Sequence, residues 1–229
     1  MNEEKTASRK DSNVIQIDWN FTAQLIIIAV LLVLVGYNLA GGKVGISGNT
    51  IATGIGTVSA SEIIPKGVPA IYGKELGVSY DDISPNNQKL ADDTISKLTE
   101  YEDIALNGDL LQRYIRIGSS ISCEYCCGAK AIIFSNGERA CGCAHSYAMR
   151  GLAKYLLTEH GNEMTDEEIL IELGKWKVLF FPGIHEDKAK VLEANGIDSK
   201  NYINLASNLY RGIEKGQSSN GAGQMVGGC

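Results

Sequence analysis

Five of the six cysteines of the chain lie between Cys123 and Cys143, in the segment ISCEYCCGAKAIIFSNGERACGCAH, which covers residues 121–145 and ends at His145. Cysteines at this density constrain the fold because they are typical of a disulfide staple, a redox centre or a metal site. The rest of the fold must therefore hold this segment in a geometry that suits one of these roles.

The order of residues within this cysteine segment predicts its local structure. The Cys-x-x-Cys pair that starts at Cys123 is followed by Cys127 and Gly128, a pattern typical of a tight turn that points two thiols at one centre. The Asn136-Gly137 pair between two short apolar runs predicts a β-hairpin. Such a hairpin would return the two later cysteines to the first pair.

A helix is predicted directly after the hairpin, over AHSYAMRGLAKYLLTEH, with Gly161 as its end. His145 and Met149 are four residues apart and share one face of it. Thiols at a helix N-terminus gain from the positive end of the dipole, which favours the thiolate form that binds metals.

These features predict a site for a thiophilic metal ion, Zn²⁺ or Cu⁺, because both prefer sulfur and imidazole donors. Six donors exceed the needs of a tetrahedral zinc site, and the excess suits a soft ion that changes coordination during transfer, or two ions. Met149 and Cys229 are secondary candidates. The predicted ligands are Cys123, Cys126, Cys127, Cys141, Cys143 and His145.

The predicted turn, hairpin and cysteine-bearing helix start resemble the heavy-metal-binding treble-clef modules called TRASH domains. The sequences CEYCCG and CGCAHS together also resemble the membrane-anchored or secreted PCYCGC-motif metal-associated proteins. Both resemblances imply metal handling and leave the metal unspecified.

Other interpretations of the cysteines stay open at this point. Clustered cysteines in an oxidising compartment also form disulfide staples, and Cys-x-x-Cys pairs also serve thiol-disulfide oxidoreductases. A zinc ion would alternatively stabilise an interaction subunit of a membrane complex. Covalent haem is excluded because residue 127 is Cys where the attachment motif has His.

Residues 21–40 contain no charged side chain and predict a transmembrane helix, the lipid bilayer being the partner of this segment. A signal peptide is the alternative, although the apolar run is longer than the usual signal core. Lys5, Arg9 and Lys10 precede the span and only Lys43 follows it closely, which predicts a cytoplasmic N-terminus and an outward-facing C-terminal domain.

The predicted fold class is α+β and mostly helical. Residues 1–20 are predicted to form a cytoplasmic tail, and residues 41–61 a linker rich in Gly, Ser and Thr. The predicted outward-facing domain covers residues 62–215 and has its Cys/His core at 121–161. Residues 216–229 are predicted to be a flexible tail that ends in Cys. Further helices are predicted from 84, over 109–117, from the Thr165 capping box, over 186–194 and over 199–215.

The net charge of −6 and the pI near 5.2 argue against nucleic acid as a partner. The sequence contains no Ser-His-Asp pattern, phosphate loop or paired-carboxylate signature, so hydrolytic and phosphoryl-transfer catalysis is not predicted. The predicted function is a membrane-anchored extracytoplasmic metal-binding protein that scavenges a thiophilic ion or delivers it to a membrane protein.

Overall fold

The computed structural model describes Gln24, residues 28–30, residues 59–216 and residues 225–228. The chain divides into two compact units, Met1–Ala52 and Thr53–Cys229. Within the first unit the described residues are helical. The second unit contains the whole cysteine segment.

Helices account for the regular structure that is described in the second unit. Short helices come first, then five longer ones, then a final short one. They are α1 (Ala60–Ile63), α2 (Gly73–Leu76), a 3-10 turn (Tyr80–Asp82), α3 (Gln88–Thr99), α4 (Gly108–Ser119), α5 (Ala144–Glu159), α6 (Asp166–Phe180), α7 (Pro182–Ala194) and α8 (Tyr202–Ala206).

Local sequence signals explain where several helices begin. The predicted capping box is present at α6, where Thr165 accepts from the amide of Glu168 and the Glu168 carboxylate accepts from the amide of Thr165. Pro182 occupies the first turn of α7, where its missing N–H costs no hydrogen bond. The Sγ atom of Cys143 caps α5 by accepting from the amide of Ser146 at 3.4 Å. A predicted metal ligand therefore also fixes the start of the central helix.

Helix α5 is the centre of the fold and packs against α3, α4 and α6. Gly151 allows the close approach to α3, since a Cβ atom there would lie 2.1 Å from the carbonyl oxygen of Leu98. Trp176 and Phe180 of α6 are fully buried against the same core. The buried residues of the cysteine segment, among them Cys123, Cys141 and Cys143, are part of the same core.

The α+β assignment is wrong for the described residues, which contain helices and isolated bridges but no β-strand. The predicted hairpin is a tight turn with one isolated bridge, between Ile133 and Arg139. The amide of Phe134 donates to the carbonyl of Glu138 at 2.7 Å and that of Ala140 to the carbonyl of Ile132 at 3.2 Å, so the pairing is short and does not extend into strands. The treble-clef-like arrangement thus lacks its strands, while the turn at Cys123 and the following helix are present.

The prediction of a single-pass membrane protein is also corrected. In the part of the chain that the structure describes, no helix is both long and apolar enough to cross a membrane. The predicted span, residues 21–40, lies outside the described residues except for Gln24 and residues 28–30.

The C-terminal region departs from the sequence prediction in two ways. The helix predicted over 199–215 is limited to Tyr202–Ala206, because Ser207 is extended and forms a bridge with Ile121. Residues 225–228, part of the predicted flexible tail, pack on the core: Val226 is buried and its amide donates to the carbonyl of Phe180 at 2.9 Å.

Candidate metal centre

The first cysteines of the segment form the predicted tight turn. The amides of Cys126 and Cys127 both donate to the carbonyl oxygen of Cys123, at 3.4 and 3.3 Å. Gly128 ends the turn with a φ of 69°, in the left-handed region that glycine adopts without strain. The turn places the thiols of Cys123 and Cys126 on the side that faces the start of α5.

Four predicted ligands converge at this point. The donor atoms of Cys123, Cys126, Cys143 and His145 all lie within 4.8 Å of one another. In a tetrahedral zinc site with Zn–S bonds of about 2.3 Å, the sulfurs are about 3.8 Å apart. The Sγ atoms of Cys123 and Cys143, at 3.2 Å, would move apart only slightly to admit an ion. The group has the size and donor set of a Cys₃His metal site.

His145 is oriented by the C-terminal segment of the chain. Its Nε2 atom lies 2.9 Å from the carbonyl oxygen of Val226, and its ring packs on those of Phe180 and Phe181. Because a carbonyl oxygen only accepts, Nε2 carries a hydrogen and donates it. This is the arrangement in which a ligating histidine is held by a hydrogen bond from its second nitrogen. A bound ion would take the place of the hydrogen bond between His145 and the Cys143 thiol.

Cys123 and Cys143 share one hydrogen bond in a buried setting, and this sets their ionisation. The hydrogen bond from Cys123, together with those from His145 and Ser146, lowers the pKa of the Cys143 thiol although burial opposes ionisation. The same bond and burial raise the pKa of Cys123. The shared hydrogen bond therefore favours ionisation of Cys143 over that of Cys123, and a cation at the centre would take the place of the shared proton.

The other two predicted cysteine ligands are joined to each other. Cys127 and Cys141 form a disulfide that links the turn to the segment before α5. Cys127 is exposed, whereas Cys141 is buried. The Sγ atom of Cys141 lies 3.5 Å from that of Cys143, so the disulfide borders the four-ligand group.

Arg150 of α5 holds the segment before α5 in position. Its guanidinium is fully buried and donates to the carbonyl oxygens of Ile132 at 3.0 Å and Cys141 at 2.8 Å. It also donates to the buried carboxylate of Glu102 at 2.7 Å and lies over the ring of Tyr147. One side chain thus fixes both ends of the turn that carries Cys141.

A positive charge lies close to the thiols. Lys177 of α6 is fully buried, donates to the carbonyl of Ala206 at 2.8 Å and pairs with Glu124 at 3.3 Å. Burial lowers the pKa of Lys177 to about 8, while Glu124 and Cys123 oppose that shift. The ammonium group therefore contributes positive potential to a centre whose thiolates are negative.

The two secondary ligand candidates are Met149 and Cys229. Met149 is buried in the core on α5, and Cys229 lies outside the described residues. Val226, Arg150 and Lys177 were not predicted from the sequence, because their roles depend on partners far away in the chain. No local pattern marks these three residues.

Comparison with protein-family models, with curated proteins and with solved structures finds no match to the chain. The motif-level resemblance to metal-associated modules therefore stays a prediction. The geometry of the site itself is the basis for assigning a function.

Proposed function

We propose that the chain binds one thiophilic metal ion through Cys123, Cys126, Cys143 and His145 and holds it for transfer to a partner. The observation that carries this proposal is the convergence of four donor atoms within 4.8 Å of one another. Three sulfurs and one imidazole nitrogen match the ligand preferences of Zn²⁺ and Cu⁺.

The extent of the core favours transfer over a folding role for the ion. Small zinc domains need their metal to fold because they lack a core of their own. In this chain α5 and α6 bury an extended apolar core, which includes Leu152, Trp176 and Phe180. We therefore expect the chain to fold without the ion, so that the site can release the ion to a partner without loss of the fold.

Access to the centre also supports transfer. Cys123, Cys143 and His145 are buried, but Cys126 is only partly buried and its neighbour Cys127 is exposed. An incoming thiolate from a partner protein would reach the ion from the Cys126 side. Ligand exchange between thiolates suits a soft ion, because such ions select sulfur donors.

The test is the metal content of the full chain after zinc loading under anaerobic conditions and desalting, measured by elemental mass spectrometry. We expect close to one equivalent in the wild type and almost none in Cys143→Ser. The serine hydroxyl can still cap α5, and circular dichroism verifies the fold. Cys229→Ser serves as the matched control and should retain the ion. Metal-free wild type, or full retention by folded Cys143→Ser, would refute the proposal.

A second candidate, thiol-disulfide exchange, rests on the disulfide beside the centre. A substrate thiolate would attack exposed Cys127, and the Cys141 thiolate would leave. A second substrate thiol would then break the mixed disulfide, so that the substrate is oxidised and the chain is reduced by two electrons. The reduction potential of the disulfide tests this candidate, because catalytic disulfides have values above about −270 mV and structural disulfides values below about −300 mV.

A further inference from the structure

The donor atoms of the cysteine segment form a second group beside the first. Among the described residues, the Sγ atoms of Cys127, Cys141 and Cys143 also lie within 4.8 Å of one another. Cys143 belongs to both groups, with its Sγ atom 3.2 Å from that of Cys123 and 3.5 Å from that of Cys141. A thiolate shared in this way is placed to bridge two metal ions.

The disulfide controls whether the second group can act. A sulfur in a disulfide is not the thiolate form that serves as a metal ligand. While Cys127 and Cys141 are joined, Cys143 is the only thiol of the second group. Opening the disulfide would supply two further ligands next to the first site.

The second group would keep its geometry after reduction, because other bonds position both cysteines. Cys127 is held by the hydrogen bond from its amide to the carbonyl of Cys123 at 3.3 Å. Cys141 is held through its carbonyl, which accepts from Arg150 at 2.8 Å, and Ala140 donates to Ile132 at 3.2 Å. None of these bonds involves the disulfide.

We propose that reduction of the Cys127–Cys141 disulfide opens a second metal position, formed by Cys127, Cys141 and the bridging thiolate of Cys143. This inference rests on the proposed function of the first site. Because its donors are all sulfur, the second position suits a soft ion such as Cu⁺. The chain would then hold one ion when oxidised and two when reduced.

A dithiol reductant would supply the two electrons that open the Cys127–Cys141 disulfide. A reductant thiolate attacks the exposed sulfur of Cys127, the S–S bond breaks, and Cys141 leaves as a thiolate. The second reductant thiol then displaces Cys127, so that the dithiol is oxidised to a disulfide as the protein gains two electrons and two protons. Each ion that binds afterwards displaces thiol protons into solution.

The experiment compares Cu⁺ binding by the oxidised and the reduced full chain. The reduced sample is treated with dithiothreitol and desalted anaerobically. Both samples are titrated with Cu⁺, and bound ions are counted by native mass spectrometry. We expect one ion on the oxidised chain and two on the reduced chain. A double variant, Cys127→Ser with Cys141→Ser, should bind one ion under both conditions.

The outcomes separate the two proposals. If the oxidised chain binds no ion, the proposed function fails. If it binds one ion and the reduced chain also binds one, the first site stands and the second position is refuted. A second ion on the double variant would likewise refute the assignment. The Cys229→Ser variant should still bind two ions when reduced, and loss of the second ion there would assign it to Cys229 and overturn the proposal.

Discussion

The Nε2 atom of His145 lies 2.9 Å from the carbonyl oxygen of Val226, although the two residues are 81 positions apart. Residues 225–228 are fixed there by two further bonds, from the amide of Val226 to Phe180 and from the amide of Gly228 to Asp92. The C-terminal segment is therefore a support of the candidate metal centre, and changes in it are expected to alter metal affinity.

Gly227→Ala is expected to weaken metal binding without removing a ligand. Gly227 has a φ of 87°, and a Cβ atom there would lie 2.1 Å from Cδ1 of Ile95 and 3.3 Å from Nε2 of His145. The variant should displace Val226 and release the histidine ring. Loss of such a supporting hydrogen bond lowers metal affinity by about 10–100-fold.

The dissociation constant for zinc, measured by competition with a chelating dye, tests this expectation. Gly216→Ala is the matched control, because Gly216 also has a positive φ, 95°, but has open space around it. Unchanged zinc affinity in Gly227→Ala would show that the C-terminal segment does not support the centre.

Gly151→Ala should destabilise the whole fold. The added Cβ would lie 2.1 Å from the carbonyl oxygen of Leu98, and a backbone atom cannot move aside without separating α3 from α5. Overpacking of this kind costs about 1–3 kcal/mol, which corresponds to a fall in Tm of at least about 2 °C for a chain of this size. Thermal unfolding measures it, and Gly142→Ala, a position with open space around its Cβ, should leave Tm unchanged.

Arg150→Lys is expected to be destabilising although it preserves the charge. The guanidinium makes hydrogen bonds to Glu102, Ile132 and Cys141 from a fully buried position. A lysine ammonium lacks the planar fork and cannot reproduce the three bonds. Because the charge is kept, the expected loss is that of buried acceptors left without a donor, about 1–3 kcal/mol. Urea unfolding tests the loss, and a variant as stable as the wild type would show that the arginine does not hold the segment.

Acid should lower stability partly through His185. Burial and the nearby ammonium groups of Lys177 and Lys188 hold the pKa of His185 well below its usual value. Below the unfolded pKa of about 6.5, the unfolded chain gains a proton that the folded chain does not. The free energy of unfolding therefore falls as pH decreases, by at most about 1.4 kcal/mol per pH unit for this group.

His185→Asn removes that titration and can keep a donor to the carbonyl of Phe181, which the histidine Nδ1 contacts at 2.8 Å. Urea unfolding between about pH 6.5 and 5 should give a shallower pH dependence for the variant. An equal pH dependence of the free energy of unfolding in both proteins would mean that His185 takes up its proton as readily in the folded as in the unfolded state.

Removal of the metal should leave the fold intact. The apolar core around Leu152 and Trp176 does not include the ion, so a chelator is expected to take the metal without loss of helix. Far-ultraviolet circular dichroism before and after chelation tests this. Unfolding on chelation would instead assign the ion a structural role.

Sequence patterns predicted the helices well where the signal is local. The Thr165 capping box places the start of α6 at Asp166, and the helix predicted over 109–117 is observed over Gly108–Ser119. The helix predicted from 84 instead begins after Asn87, whose side chain accepts from the amide of Leu90 at 3.2 Å. Two residues suited to cap the helix lie three positions apart here, and the local sequence alone does not decide between them.

The predictions of the hairpin and of the long C-terminal helix were wrong because contacts with distant residues override the local sequence pattern. The Asn136-Gly137 turn forms, but Cys141 is drawn into the disulfide and bonded to Arg150, so the flanking segments do not extend as strands. In the same way, the bridge between Ser207 and Ile121 ends α8 early. Both constraints come from residues far away in sequence.

Four of the six predicted ligands converge in the structure, which the spacing of the cysteines made predictable. The pairing of Cys127 with Cys141 was not predictable, because spacing alone leaves several disulfide connections open. The contact between His145 and Val226 was not predictable either, since a backbone carbonyl carries no signature of its own.

The most direct test of the proposed metal centre is X-ray absorption spectroscopy of the zinc-loaded, oxidised full chain. We expect three sulfur ligands at about 2.3 Å and one nitrogen ligand at about 2.0–2.1 Å. Cys143→Ser should lose this signature. A shell dominated by oxygen, or four sulfurs with no nitrogen, would contradict the assignment of Cys123, Cys126, Cys143 and His145 as the metal ligands.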